Sequence, residues 1–424
     1  MSLLWAKRGW LTPGSQTIRA LDRFGATDVW DFVDNSYMRA GVVTTNAGLT
    51  VTRASSGYAE TSDGRLVSFG SGVLRHTDKG LLVEGARTNL LTYSQAFDDA
   101  AWSKVQSSVN ANVVTAPDGT LTADTFLDAL GQTYAEISES VNFALSGNYV
   151  LSIFAKQGTR RYVFMALPSA QFGSNVDAYF DLQDGVVKST GASAVSASIQ
   201  TLANGWCRCI LVGNATSTGS GSLFVYHVNA SGDSVFYTGD GAGSLYLWGA
   251  QVEAGAFASS YIATIASAVT RAADEVTASL TSVVYPASLY AEFARNGDTG
   301  TAEGVLQVDA SSRAQRANIN VSSSDTLSAT ARGGANDGDA AVSGAITVGA
   351  ITKGAGRIAV NDVQAARAGT LATADTAASV PTSSPDTVRF GDFGATATYS
   401  SLYLRRAAVI SSALTDTQLQ AITT

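Results

Sequence analysis

The sequence predicts an all-β protein built as antiparallel β-sandwich (jelly-roll) domains in tandem, with a small N-terminal segment and a short C-terminal helix. Three observations carry that expectation. Hydrophobic residues make up 45% of the 424 positions but charged ones only 15%, against roughly 25% charged in ordinary soluble proteins. The 41 Gly beside 6 Pro and 3 Met favour short strands and tight turns over long helices, whose faces need Leu, Lys, Glu and Met. Apolar or alternating runs end in Asp-Gly or Asn-Gly pairs with no amphipathic helix between them, which favours an antiparallel sandwich over a parallel α/β sheet.

The length is too great for one ordinary core and fits two or three domains. The first stretch, residues 1–85, carries Trp5, Trp10, Trp30 and the acidic-aromatic run from Asp28 to Asp34. Two readings of these aromatics stand: they dock on a partner, or they pack back on a neighbouring sandwich. A more regular pattern follows in 86–275. Tyr149 to Lys156 and Arg161 to Leu167 are apolar at nearly every position, as central strands covered on both faces would be. Val176 to Leu182 and Val186 to Ser189 form a hairpin through Asp184-Gly185, and Asn204-Gly205 turns the chain into Trp206 to Val212. Strands are also expected at Ser222 to Val228 and Ser244 to Glu253. A second sandwich is expected over 285–424, beginning at Pro286 and including a hairpin that turns at Asn361-Asp362. It ends in a helix announced by the capping box Thr415-x-x-Gln418, with Leu419 and Ile422 as its apolar stripe. The tetrapeptide Val51-Thr-Arg-Ala54 recurs at Val269 to Ala272, but a single echo without a sustained period does not indicate a repeat fold.

A net charge of −8 argues against nucleic acid as a partner, since that affinity rests on Lys and Arg displacing counterions. No run reaches the ~20 apolar residues needed to span a bilayer, and no signal peptide is legible at the start. Cys207 and Cys209, two apart on a strand, share a face with poor geometry for a disulfide and read as buried thiols. His76 and His227 show no metal-ligand spacing to them. No cofactor is expected; Asp233 and Asp240, in Gly- and Ser-rich loops, are the oxygen ligands for a structural calcium if one binds. No metal is assigned.

Gly80-Leu-Leu-Val-Glu-Gly-Ala-Arg-Thr-Asn-Leu-Leu91 opens an ordered motif series. It continues through Phe97, Trp102, Ala116-Pro-Asp-Gly119, Phe154-Ala-Lys156, Phe180-Asp-Leu182, Asn204-Gly-Trp206, Tyr237 to Gly241, Leu245 to Glu253, Ser260-Tyr-Ile262 and Val269 to Asp274. Together these resemble a galactose-binding-like, carbohydrate-binding-module-like jelly-roll domain of phage head-spike, fibre and tail proteins. Val388 to Gly391, Ser401 to Arg406 and Ala413 to Leu419 are similar to the end of a concanavalin- or laminin-G-like sandwich. The resemblance implies a homo-oligomeric structural protein on the surface of a virion or a phage-derived gene-transfer particle, made in the host cytoplasm. It further implies attachment to other virion proteins through the N-terminal segment and adsorption to host surface polysaccharide.

The chemistry of the residues fits binding better than catalysis. Two histidines and no nucleophile elbow leave no hydrolase triad, and no phosphate-binding loop is present. No catalytic residue is assigned and the protein is expected not to be an enzyme. A polysaccharide depolymerase is the alternative, because paired carboxylates suffice; Asp177, Asp181 and Asp184 are the candidates, each better explained as a solvated strand or turn residue. A purely architectural decoration protein is the other alternative. Sugar binding asks for an aromatic face with polar groups beside it. Arg161, Tyr162, Tyr179 and Gln251 are the carbohydrate-binding candidates, since they alternate with apolar neighbours and one sheet face could present them together. Trp206 and Trp248 read as core.

Overall fold

The computed structural model describes residues 16–145, 147–281, 283–310 and 313–424. It is all-β, with antiparallel pairing throughout; among the described residues the α-helices are short, Gln16–Asp22, Ser169–Phe172 and Asp416–Thr423, with a 3-10 turn at Ala203–Gly205. The chain forms two compact units, and their connectivity differs from the expected linear order of 1–85, 86–275 and 285–424. One unit, the carrier, contains residues up to 54, then 71–85 and 273–424; the other, inserted into it twice, contains 55–70 and 86–272.

The carrier is a sandwich of a ten-stranded and a seven-stranded sheet. Its core is supplied by alternate residues of both, such as Leu289, Phe293 and Val409 against Leu306, Ile319 and Phe390. The N-terminal strands are integral to it. Ala26–Asp31 pairs with Ser401–Ile410, placing Trp30 opposite Ala407. Trp30 is fully buried, meets the Phe390 ring edge-on at 5.0 Å, and donates from Nε1 to the Ala47 carbonyl at 2.9 Å. For Trp30 the second of the two readings therefore holds, packing back on a sandwich: a strand with an apolar face needs a sheet, and this one finds it in Ser401–Ile410. Trp5 and Trp10 lie outside the described residues. The terminal helix Asp416–Thr423 has the expected capping box, Thr415 Oγ1 accepting from Gln418 N–H and Gln418 Oε1 from Thr415 N–H. Leu419 and Ile422 bury against Ile18 and Leu21 of the first helix.

The inserted unit is a sandwich of two six-stranded sheets. The front sheet runs Ser103–Val105, Glu136–Phe143, Gly219–His227, Tyr162–Ala166, Asp177–Asp181, Val186–Thr190. The back sheet runs Ser107–Val114, Ala123–Asp128, Ser244–Ala254, Asn148–Gln157, Trp206–Asn214, Ser196–Thr201. Their inner faces interdigitate Val163, Met165, Phe180 and Val225 with Leu151, Ile153, Leu211 and Leu247. Cys207 and Cys209 are free, buried thiols, as expected. The outer face of the back sheet is covered. The hairpin Gly57–Glu60 and Leu66–Phe69 contributes Tyr58 and Leu66 to a second cluster with Phe154, Trp206, Trp248 and Tyr261. Among the described residues the front sheet has no such cover, and Phe164, Tyr179, Phe224 and Tyr226 on its outer side remain partly accessible.

His227 is fully buried within this unit, its ring 4.2 Å from Phe126 and its Nε2 3.1 Å from the Phe126 carbonyl. Burial pulls its pKa down to about 4, below the unfolded value near 6.5. The unfolded chain then binds the proton first, so stability is complete above about pH 6.5 and declines as pH falls towards 4, by up to about 3 kcal/mol. Asp124, pushed up to about 6 by burial, acts in the opposite direction. The difference between wild type and His227→Gln in urea titrations across that window isolates the histidine. Parallel curves would refute the effect.

Candidate functional site

The uncovered outer face of the front sheet gathers the aromatic residues of the inserted unit that the core does not use. Strand alternation sends Val163, Met165 and Val225 inward, so Phe164, Tyr179, Phe224 and Tyr226 point outward. The register aligns them across the strands: Glu136 opposite Tyr226, Tyr226 opposite Phe164, Phe164 opposite Tyr179, Tyr179 opposite Ser189. Ring centroids lie 4.6 Å apart for Phe164 and Tyr179 and 5.8 Å for Phe164 and Tyr226. Tyr134 extends the row at 6.2 Å from Tyr226, and Phe236 lies 6.2 Å beyond Tyr134. The rings are tilted against one another, which locks each in place while leaving it partly exposed; Phe236, at 69% exposure, is nearly free. Serines 138, 140, 189 and 222 lie beside the row, Ser140 and Ser222 sharing a hydrogen bond of 2.7 Å.

Acidic groups border it. Glu136 stands opposite Tyr226, and burial together with this carboxylate raises the Tyr226 pKa. Burial, Asp177 and Asp233 do the same for Tyr179. Both phenols remain protonated donors at neutral pH.

Three of the four residues singled out from the sequence lie at this face, with differing accessibility. Tyr179 belongs to the row. Tyr162 is on the same face, opposite Asp181, but its ring is covered: the Arg161 guanidinium lies 5.1 Å and the Lys188 ammonium 4.8 Å from its centroid. At Gly232, where φ is +74°, a Cβ would stand 2.8 Å from the same ring. Tyr162 is a support, and Arg161 is committed to Asp181 through bonds of 2.7 and 2.5 Å and to Asp184 through one of 2.5 Å. Gln251 is a correction. It is fully buried in the covered back sheet, donating to Glu253 Oε1 at 2.7 Å and accepting from Ile262 N–H at 2.8 Å. Its alternation with apolar neighbours reflects a strut beneath the 259–264 segment. Phe164, Tyr226, Tyr134 and Phe236 were not singled out; the first lies in an apolar run that read as covered on both sides.

The proposed calcium ligands are occupied by protein partners. Asp233 accepts from Asn229 Nδ2 at 2.8 Å and Ser231 Oγ at 2.6 Å; Asp240 caps the Ala242 N–H at 2.9 Å and lies 3.3 Å from Arg160. Among the described residues no group of His, Cys, Asp and Glu converges as a metal site. The oxygen-rich loop before the front sheet holds an internal cation instead. Lys104 Nζ lies 3.0, 3.0, 2.6 and 2.8 Å from the carbonyl oxygens of Phe97, Asp98, Asp99 and Trp102.

The fold and this face define an antiparallel β-sandwich protein whose inserted unit displays a partly exposed aromatic row. No family model and no curated protein matches the chain. Solved structures give distant likenesses. The carbohydrate-binding module CBM40 of the Ruminococcus gnavus IT-sialidase, bound to α2,3-sialyllactose, aligns at 12% identity over 33% of this chain and 83% of its own, with a TM-score of 0.29. Domains LG4-5 of the mouse laminin α1 chain align at 11% identity over 68% and 90%, with a TM-score of 0.25. Trypanosoma rangeli sialidase in complex with the inhibitor DANA aligns at 9% identity over 71% and 60%, with a TM-score of 0.26. At these scores the likenesses do not bear on ligand or activity.

Proposed function

We propose that this protein binds glycan without cleaving it, through the aromatic face of the inserted unit, and serves as a host-attachment component on a virion or phage-derived gene-transfer particle. The observation that carries the binding reading is the Tyr179, Phe164, Tyr226 row, held across neighbouring strands and left partly accessible. Its rings offer apolar faces to pyranose C–H groups, and the phenols and serines beside them meet hydroxyls. The particle assignment rests on the ordered motif resemblance from Gly80 to Asp274. Two of the three carboxylates weighed for catalysis, Asp181 and Asp184, favour binding alone, while burial raises the third, Asp177. Burial raises the Asp181 carboxyl, but Arg161 outweighs it and holds the group below the ordinary carboxylate range. Asp184 shares that guanidinium. A general acid needs the reverse shift.

In affinity electrophoresis against host surface polysaccharides, the full chain is expected to be retarded. Phe164→Ala and Tyr226→Ala should each weaken retention about tenfold, the equivalent of 1.4 kcal/mol, while circular dichroism and Tm stay near wild type. Retention unchanged in both variants would exclude this face, and new reducing ends released by the wild-type chain would overturn the non-catalytic reading. Immunogold labelling of purified particles tests the location.

A further inference from the structure

We propose that the aromatic face selects uncharged, hydroxyl-rich glycan and rejects sugars bearing carboxylate, sulfate or phosphate; this rests on the glycan-binding reading above. The distribution of charge around the row sets this preference. Glu136 is directly cross-strand from Tyr226. Asp177 precedes Tyr179 by two positions on the same strand, and so shares its face. Asp233, exposed in the loop that passes Tyr162, is held by Asn229 and Ser231 with its charge intact. The row is thus bordered by three carboxylates.

The cations at this face are already engaged. Arg161 forks onto Asp181 and reaches Asp184, and Lys188 donates to the Ser231 carbonyl while lying over the Tyr162 ring. The remaining outward positions of these strands supply Ser, Ala, Asn142 and aromatic side chains and no further Lys or Arg. Recognition of an anionic sugar asks for a guanidinium or ammonium free to pair with it, whereas carboxylates repel it. Hydroxyl groups find what they need here, because ionised carboxylates are acceptors only and accept from O–H donors. The aromatic row and its acidic border therefore match a ligand that presents C–H faces and O–H donors and carries no negative charge.

The test uses the full chain in affinity electrophoresis at low ionic strength against two sets of immobilised polysaccharide: neutral (dextran, galactomannan, mixed-linkage β-glucan) and anionic (polysialic acid, hyaluronan, alginate). Retention by at least one neutral polymer, about tenfold or more above every anionic one, is expected. The double variant Asp177→Asn with Asp233→Asn, which keeps amide acceptors but removes two charges, should narrow that ratio several-fold by gaining anionic binding, with its Tm unchanged. Anionic retention equal to or stronger than neutral retention in the wild type overturns the selectivity and leaves glycan binding standing, as does an unchanged ratio in the double variant. Retention by neither set, with host polysaccharide also unbound, overturns the glycan reading itself.

Discussion

Asp274→Ala is expected to cost the carrier unit about 3–5 kcal/mol, the range for removing one partner from a buried ionic network. Asp274 lies 2.8 Å from Arg53 Nη1, and its second oxygen receives Arg75 Nη2. It also accepts the Glu84 backbone N–H at 3.0 Å, and Arg75 Nη1 reaches Glu84 at 2.6 Å. The four side chains are between 0% and 1% exposed, so no solvent replaces the lost carboxylate, and Arg53 and Arg75 each lose the ion pair they make with it. Against a total stability of about 5–15 kcal/mol for a domain, such a loss unfolds the unit under mild urea. The physical origin is separable from mere packing: replacing the set together by apolar residues of similar volume should restore most of the stability. Urea unfolding curves followed by circular dichroism give the comparison, and a loss below about 1 kcal/mol for Asp274→Ala, typical of an exposed pair, would refute it.

Trp248→Ala is expected to remove a similar amount from the inserted unit, about 3–5 kcal/mol. The indole is fully buried, 4.5 Å from Tyr261, 5.3 Å from Phe154 and 6.2 Å from Tyr58, with Nε1 donating to Thr122 Oγ1 at 3.0 Å. It is the surface on which Tyr58 of the 57–69 hairpin rests, so the cavity should loosen that hairpin first. Amide exchange across residues 55–70 would register this before global unfolding, and Trp248→Phe should retain more of the protection. Equal exchange in Trp248→Ala and wild type would place the anchoring elsewhere.

Much of the strand content was legible because alternation and Asp-Gly or Asn-Gly turns are local signals. Gly185 and Asn204 do adopt positive φ, at 64° and 57°. The capping box at Thr415 was legible for the same reason. The division into units was not, since the pairing of Ala26–Asp31 with Ser401–Ile410 joins opposite ends of the chain and leaves no local pattern. One trace was present and set aside: the Val-Thr-Arg-Ala echo ends at Ala54 and Ala272, and the chain crosses between units directly after each. Arg53 and Arg271 in these tetrapeptides are both buried. At the site, alternation found Tyr179 but could not tell which sheet is covered. That is why the sequence presents Gln251 as an outward group and Phe164 as part of a strand covered on both faces.

The double insertion has a consequence for resistance to proteolysis. Chain passes between the units at 54/55, 70/71, 85/86 and 272/273, and the 55–70 piece is held to the rest of its unit by the Tyr58 ring contacts and by Leu66 N–H donating to the Pro117 carbonyl at 3.1 Å. A protease that nicks any one of these passages leaves the others intact, so a singly cut molecule keeps both units tethered by covalent chain. Severing the 86–272 segment that carries the aromatic face requires at least two cuts, a form of damage tolerance that two domains joined by a single linker lack.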